Sequence, residues 1–340
     1  MEADPFQSNS TSSINKRKRT ESGDEGDIKE PLRSADYWFD DGNVILQAEN
    51  TQFRVHRSIL SRHSQVFQDM FSLPQPEKET LFEGCPLVHV SDAPEDWENI
   101  FSILYDHNAL YNSTTTMAIP LLASMLRIGK KYQFDNIQSL ALNCIRKELP
   151  DSLNAWDEKF PKYDGDNGLI VDLDYEVDII NVLVETGFQT LLPMAYYICA
   201  SSLSPSLTYR GLTNLDGTKS HLSDESIKKL MIGRHEISTA ILIHEFPWTK
   251  GSRSHSAIPT AQCQRKSKCE GHRSMVLAEL VPGPSPYAAL LCPVENIVSR
   301  LYCDSCATEI IKIYRAGRKV IWDNLPSYFG LPKWEDLKDV

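Results

Sequence analysis

The sequence predicts an α+β chain. Short paired strands and helical hairpins fill the N-terminal half. A mainly helical C-terminal region follows, with a small segment that a zinc ion could staple. Three observations predict this. Val44 to Ala48 and Thr51 to Val55 are extended, β-branched runs joined by the turn residues Glu49-Asn50. Apolar residues then recur at helical spacing from Ser64 to Ile145. Last, Cys263, Cys269, Cys303 and Cys306 gather in one late stretch.

Composition bounds the function. The chain has 340 residues, 41% of them hydrophobic, which suffices for a sizeable core. A net charge of −11 argues against wholesale nucleic-acid binding, while a local basic patch stays open. The start, MEADPFQSNS, has no apolar run behind a basic end, so no secretory signal is expected. The most apolar runs, such as 191–200, are too short to span a membrane. The eight cysteines are then expected as thiols or metal ligands.

Four segments are expected. Residues 1–34 read as a disordered tail, because Ser, Thr, Asn and charges leave little to bury. Lys16-Arg17-Lys18-Arg19 in it reads as a nuclear-import signal or as a solubilising charge run, so nucleus or cytoplasm is expected. Residues 35–150 read as the α+β domain, 151–248 as a helical region, and 249–340 as a cysteine-containing segment with an aromatic tail.

Within 35–150 the elements follow in order. After the strand pair comes a helical turn over Ser58 to Leu60. Ser64 offers an N-cap, and Val66, Phe67, Met70 and Phe71 share one helix face, stopped by Pro74 and Pro76. Leu87-Val88-His89-Val90 reads as a buried strand. Asp92 is expected to cap a helix with apolar face Trp97, Ile100, Phe101, Leu104 and Tyr105. Thr116 is expected to cap a helix carrying Leu121, Leu122, Met125, Ile128 and Tyr132. Asp135 opens one carrying Ile137, Leu140, Ala141, Cys144 and Ile145, which stops before Pro150.

This stretch resembles a BTB/POZ domain. The residues that carry the resemblance are the strand pair Val44 to Val55, then Phe53-x-x-His56-Arg57-Ser58-x-Leu60, then Ser64-x-x-Phe67-x-x-Met70-Phe71, and Leu104-Tyr105. Cys85-Pro86-Leu87-Val88-His89, with the chain's last residues, is similar to a large fungal, basidiomycete-type group of BTB proteins. Where the family often has Thr-Gly after the tyrosine, this chain has Asp106-His107. The resemblance implies that His56 is a structural histidine at a strand–helix junction. It also implies protein partners: a homodimer, or a cullin scaffold to which a ubiquitin-ligase adaptor brings substrates.

Beyond 150 a short helix is expected around Trp156. Asp178 to Glu185 and Leu191 to Leu203 read as a helical hairpin, 204–222 as loop. Ser223 caps a long helix with face Ile227, Leu230, Met231, Ile237, Ile241 and His244. His244-Glu245 fails as a zinc-protease motif, because position 248 is Trp rather than the His of His-Glu-x-x-His. Phosphate loop, nucleophile elbow and kinase signature are all missing from the sequence, so no enzyme is expected.

The cysteines carry the one constellation with chemistry. Zinc takes four soft ligands in a tetrahedron, and Cys303-Asp-Ser-Cys306 sits at the start of a helical run, Ala307 to Trp322. There the helix dipole favours thiolates. Cys263 and Cys269 would complete an all-cysteine site, with His272 as a substitute ligand. Reduced thiols in a small core are the competing reading. A redox Cys-x-x-Cys lacks a surrounding βαβ pattern. Cys85, Cys144, Cys199 and Cys292 read as core thiols. Lys250, Arg253, Arg265, Lys266, Lys268 and Arg273 surround the cluster, either as a phosphate-contacting face or as a solvated loop, with nucleic acid the less expected partner. The apolar end, Val320 to Trp334, is expected to dock on the body.

The sequence thus reads as a protein–protein interaction adaptor or scaffold with structural zinc and no membrane contact. The alternative is a nuclear, zinc-containing transcription regulator.

Overall fold

A computed structural model describes residues 30–74, 81–106, 117–159, 176–213, 217–249, 258–280 and 295–339. The import-like Lys16 to Arg19, Thr116, Lys250, Arg253 and Cys292 lie outside them.

Strands β1 (Leu32–Trp38), β2 (Val44–Ala48), β3 (Thr51–Val55), β4 (Leu81–Phe82) and β5 (Cys85–Val90) form one sheet in the order β1-β3-β2-β5-β4. β2 and β3 form the expected antiparallel hairpin, Val44 opposite Val55 and Ala48 opposite Thr51. Glu49 takes a positive φ of 49° at the turn between them. β5 joins β2 in parallel, Ile45 opposite Leu87. β1 corrects the expected tail: Leu32 and Arg33 pair in parallel with β3 rather than lying in a disordered segment. Its sparse apolar content hides it, since only Ser34 and Tyr37 face inward. β5 is also less buried than expected, with Cys85 and Val90 inside and His89 exposed.

Helices α1 (Arg57–His63) and α2 (Gln65–Ser72) follow the hairpin. Ser64 caps α2 as expected, its Oγ accepting from Phe67 N at 3.1 Å. Only Phe67 of the expected face is fully buried; Val66, Met70 and Phe71 lie half-exposed. Next come α3 (Pro94–Tyr105), α4 (Ile119–Tyr132) and α5 (Asp135–Glu148). Asp92 does not cap α3. Ala93 holds the N-cap position, and Asp92 instead accepts from Lys131 Nζ and from Tyr132 OH, each at 2.6 Å. Proline at the first helical position leaves one orphan donor fewer to cap, so the carboxylate is available to the cations of α4. The core here is aromatic: Phe67 stacks on Tyr132 at 5.3 Å, and Trp97 meets Phe101 at 5.6 Å.

Past this domain lie α6 (Leu153–Lys159), α7 (Glu176–Thr186), α8 (Leu192–Ser202), α9 (Pro205–Arg210) and α10 (Asp224–Ala240). The expected hairpin is α7 and α8, and α8 is buried nearly all round, from Leu192 to Ala200. The stretch 204–222 is not plain loop. Ser204 caps α9 and Pro205 starts it. β6 (Leu212–Thr213) and β7 (Lys219–Ser220) pair behind it. Ser223 caps α10 as expected, accepting from Ser226 N. Leu230, Ile237 and Ile241 face inward, but Met231 is exposed and Arg234 takes an inward place. A π turn, Ile241–Glu245, continues α10.

Last come α11 (Lys266–Leu280), α12 (Glu295–Leu301) and the long α13 (Asp304–Tyr328). Gly317 of α13 lets the helix press on the π turn: a Cβ there would lie 2.2 Å from His244 O. The aromatic end docks. Phe329 is buried against Tyr196 at 5.3 Å, Trp334 stacks on Trp322 at 5.6 Å, and Asp339 accepts from Thr190 N at 3.0 Å. Among the described residues no helix is long and apolar enough to cross a membrane.

Candidate metal centre

The four cysteines meet. Cys263 precedes α11, Cys269 lies in its first turn, Cys303 is the N-cap of α13, and Cys306 lies in that helix's first turn. Their sulfurs lie within 4.8 Å of one another, and the Cys263–Cys303 pair is 3.7 Å apart. A zinc ion with bonds of about 2.3 Å demands sulfur–sulfur edges of about 3.8 Å. The spacing is far beyond a disulfide bond of about 2.05 Å, and all four are free thiols. Cys263, Cys269 and Cys306 are buried, while Cys303 reaches the surface in part. The four could therefore hold a metal ion, and their geometry fits a tetrahedral one.

The backbone around them is built for thiolates. Arg265 N–H donates to the Cys263 sulfur, Cys303 N–H to Cys269, and Cys306 N–H to Cys303. Gln264 N–H adds a second bond to Cys303. Thr260 N–H points to Cys306 at 3.5 Å, and its hydroxyl lies 3.7 Å from the same sulfur. Each sulfur thus has a backbone donor, an arrangement that favours the anionic form a metal needs. The Cys306 amide at the helix start pulls the Cys303 thiol down to about 6. Burial pushes the other three up. Bringing metal to the set would therefore release protons from those buried thiols.

His272 does not join the set. It lies half-buried on α11 with its ring 6.0 Å from Tyr302, and its Nδ1 has no hydrogen-bond partner. It lies one helical turn from Cys269, but the close group holds only the four cysteines. Sequence reasoning found the four cysteines and missed Thr260, for which spacing carries no signal. α11 and α13 each place one cysteine of the group in a first turn.

His244-Glu245 stays outside any metal group among the described residues. Glu245 is fully buried and neither carboxylate oxygen has a hydrogen-bond partner. Burial pushes its carboxyl up to about 9, with the Arg318 charge pulling the other way. Arg318 itself pairs with Asp157 of α6 at 2.5 Å.

The other site is the strand–helix junction at His56. Its Nδ1 lies 3.2 Å from Tyr105 OH, which also accepts from His56 N at 3.1 Å. Its Nε2 lies 3.2 Å from Asp41, and Phe39 stacks beside it at 5.3 Å. This is a local bracing role, with each ring nitrogen engaged. Asp106 accepts from Tyr37 OH at 3.0 Å, tying β1 to the end of α3. Residues 36–147 match the family model for the BTB/POZ domain. This stretch is a BTB/POZ domain. No curated protein matches the chain. The BTB match stops before the cysteine cluster, which therefore stands on its geometry alone.

The BTB domain is joined to the helical region by polar ties. Arg127 of α4 bonds Glu185 of α7 at 2.8 Å and Asp96 at 3.5 Å, and Lys130 donates to Thr186 O. A cleft of about 630 Å³ opens between them, lined by Asp92, Asp96, Arg127, Lys131 and Glu185 among others. Arg127, Lys130 and Lys131 balance Asp92, Asp96 and Glu185 there, so its lining carries no net charge.

Proposed function

We propose that the chain is a protein–protein adaptor whose BTB domain either self-associates or docks a cullin scaffold, while the C-terminal body presents a second surface. The BTB/POZ domain is a protein-interaction module. What supports the adaptor reading is the tie between the two parts. Arg127–Glu185, Lys130–Thr186 and Arg146–Asp339 link α4 and α5 to the body. An adaptor needs a fixed geometry between the surface it hangs from and the surface it offers.

The four cysteines hold a structural zinc ion in this reading. All four positions of the tetrahedron are filled by protein, and a closed site stabilises rather than reacts. It pins the starts of α11 and α13 together.

Titration calorimetry of the full chain against the cullin scaffold tests the adaptor reading. Saturable micromolar or tighter binding supports it. A folded chain that leaves the cullin unbound and sediments as a dimer moves the account to a self-associating scaffold.

A further inference from the structure

Several cations in this protein sit beside acids: Arg33 with Glu83, Lys131 with Asp92, Lys229 with Glu225, Lys319 with Asp323. Arg265, Lys266 and Lys268 instead cluster within four residues. All three are exposed, and none makes an ion pair among the described residues. Glu270 lies one turn from Lys266 on the same helix, yet the two do not pair. Nor does helix stability explain them. The first turn of α11 carries no acid, and cations at a helix start oppose its dipole.

The turn leading into them is held from behind. Gln264 and Arg265 amides face the Cys303 and Cys263 sulfurs, and Cys269 N–H bonds Arg265 O at 2.9 Å. The backbone is thereby fixed with the three charged heads in solvent. A metal–tetrathiolate centre would draw on this charge, but exposed heads feel that pull through screening water.

We propose that Arg265, Lys266 and Lys268 form a docking surface for a short acidic segment of a protein partner. Charge complementarity selects the occupant: a rigid cluster of unpaired cations on a chain of net charge −11. An extended nucleic acid would meet that acidic body, and Gln264 to Lys268 offers no aromatic ring on which a base could stack. The inference does not depend on which metal, if any, fills the cluster.

The test uses the full chain and a fluorescein-labelled oligoglutamate peptide, read by anisotropy. Binding should weaken roughly tenfold in R265Q/K266Q/K268Q and fall with added salt. A second readout needs no variant: bound peptide should shield Lys266 and Lys268 of the wild type from amine acetylation, mapped by mass spectrometry, while Lys312 and Lys319 stay reactive. Unchanged reactivity of Lys266 and Lys268 overturns the proposal. So does tighter binding of a single-stranded oligonucleotide of equal charge, which would assign the surface to nucleic acid.

Discussion

At the residue scale, Glu245 is the least comfortable group in the protein. Its carboxyl is fully buried without a hydrogen bond, and its folded value near 9 stands above the ordinary 4.5. Because the folded state holds this proton more tightly than the unfolded one, its contribution to stability is complete below about 4.5. It is lost as pH rises toward about 9. Glu245→Gln should therefore flatten the fall in stability across that window, measured by urea unfolding at several pH values. An unchanged slope would mean that Glu245 does not titrate there. Gly317 is a second such point. Gly317→Ala should cost about 1–3 kcal/mol, because the added methyl meets the His244 carbonyl of the π turn and backbone must move. Neither effect is legible in the sequence. His244-Glu245 reads there only as the end of an amphipathic helix, and the burial comes from α13, some seventy residues on.

At the element scale, local rules gave what was local. Ser64 and Ser223 cap the helices expected of them, since an N-cap needs only its own next turn. Ser64→Ala should lower stability by about 1–2 kcal/mol in denaturant titration, since the buried hydroxyl also bonds Tyr132 O. Asp92 failed as a cap because Lys131 and Tyr132 recruit it from across the domain. β1 escaped notice because its pairing is supplied by β3, not by its own apolar content. On the polar side of α13, Arg318 is nearly buried while its partner Asp157 stands half in solvent. Arg318→Ala should cost about 2 kcal/mol, less than a fully buried pair, and should loosen α6 first in hydrogen exchange.

At the scale of the whole molecule, the BTB domain was readable because strand pairing, the His56 junction and the helix faces agree with one another. The cysteine cluster was readable for a different reason. Cysteine spacing survives as a signal even where the chain between is long, and the helix start at Cys303 was visible, while that of α11 was not. What spacing could not decide was which side chains come together: the close group holds the four cysteines and not His272. The polar ties across Arg127, Lys130 and Arg146 depend on packing between distant helices, and no pattern along the chain encodes them.

The central claim is that a metal ion at Cys263, Cys269, Cys303 and Cys306 holds the C-terminal body together. The most direct measurement is the metal content of the full chain purified under reducing conditions, by plasma mass spectrometry, with thermal unfolding before and after a strong chelator. The account predicts a single zinc ion per chain, lost on chelation with a lower unfolding temperature, and absent from Cys303→Ser/Cys306→Ser. A metal-free wild-type chain whose unfolding is indifferent to added zinc and to chelator would contradict it, and would leave four reduced thiols packed in a core.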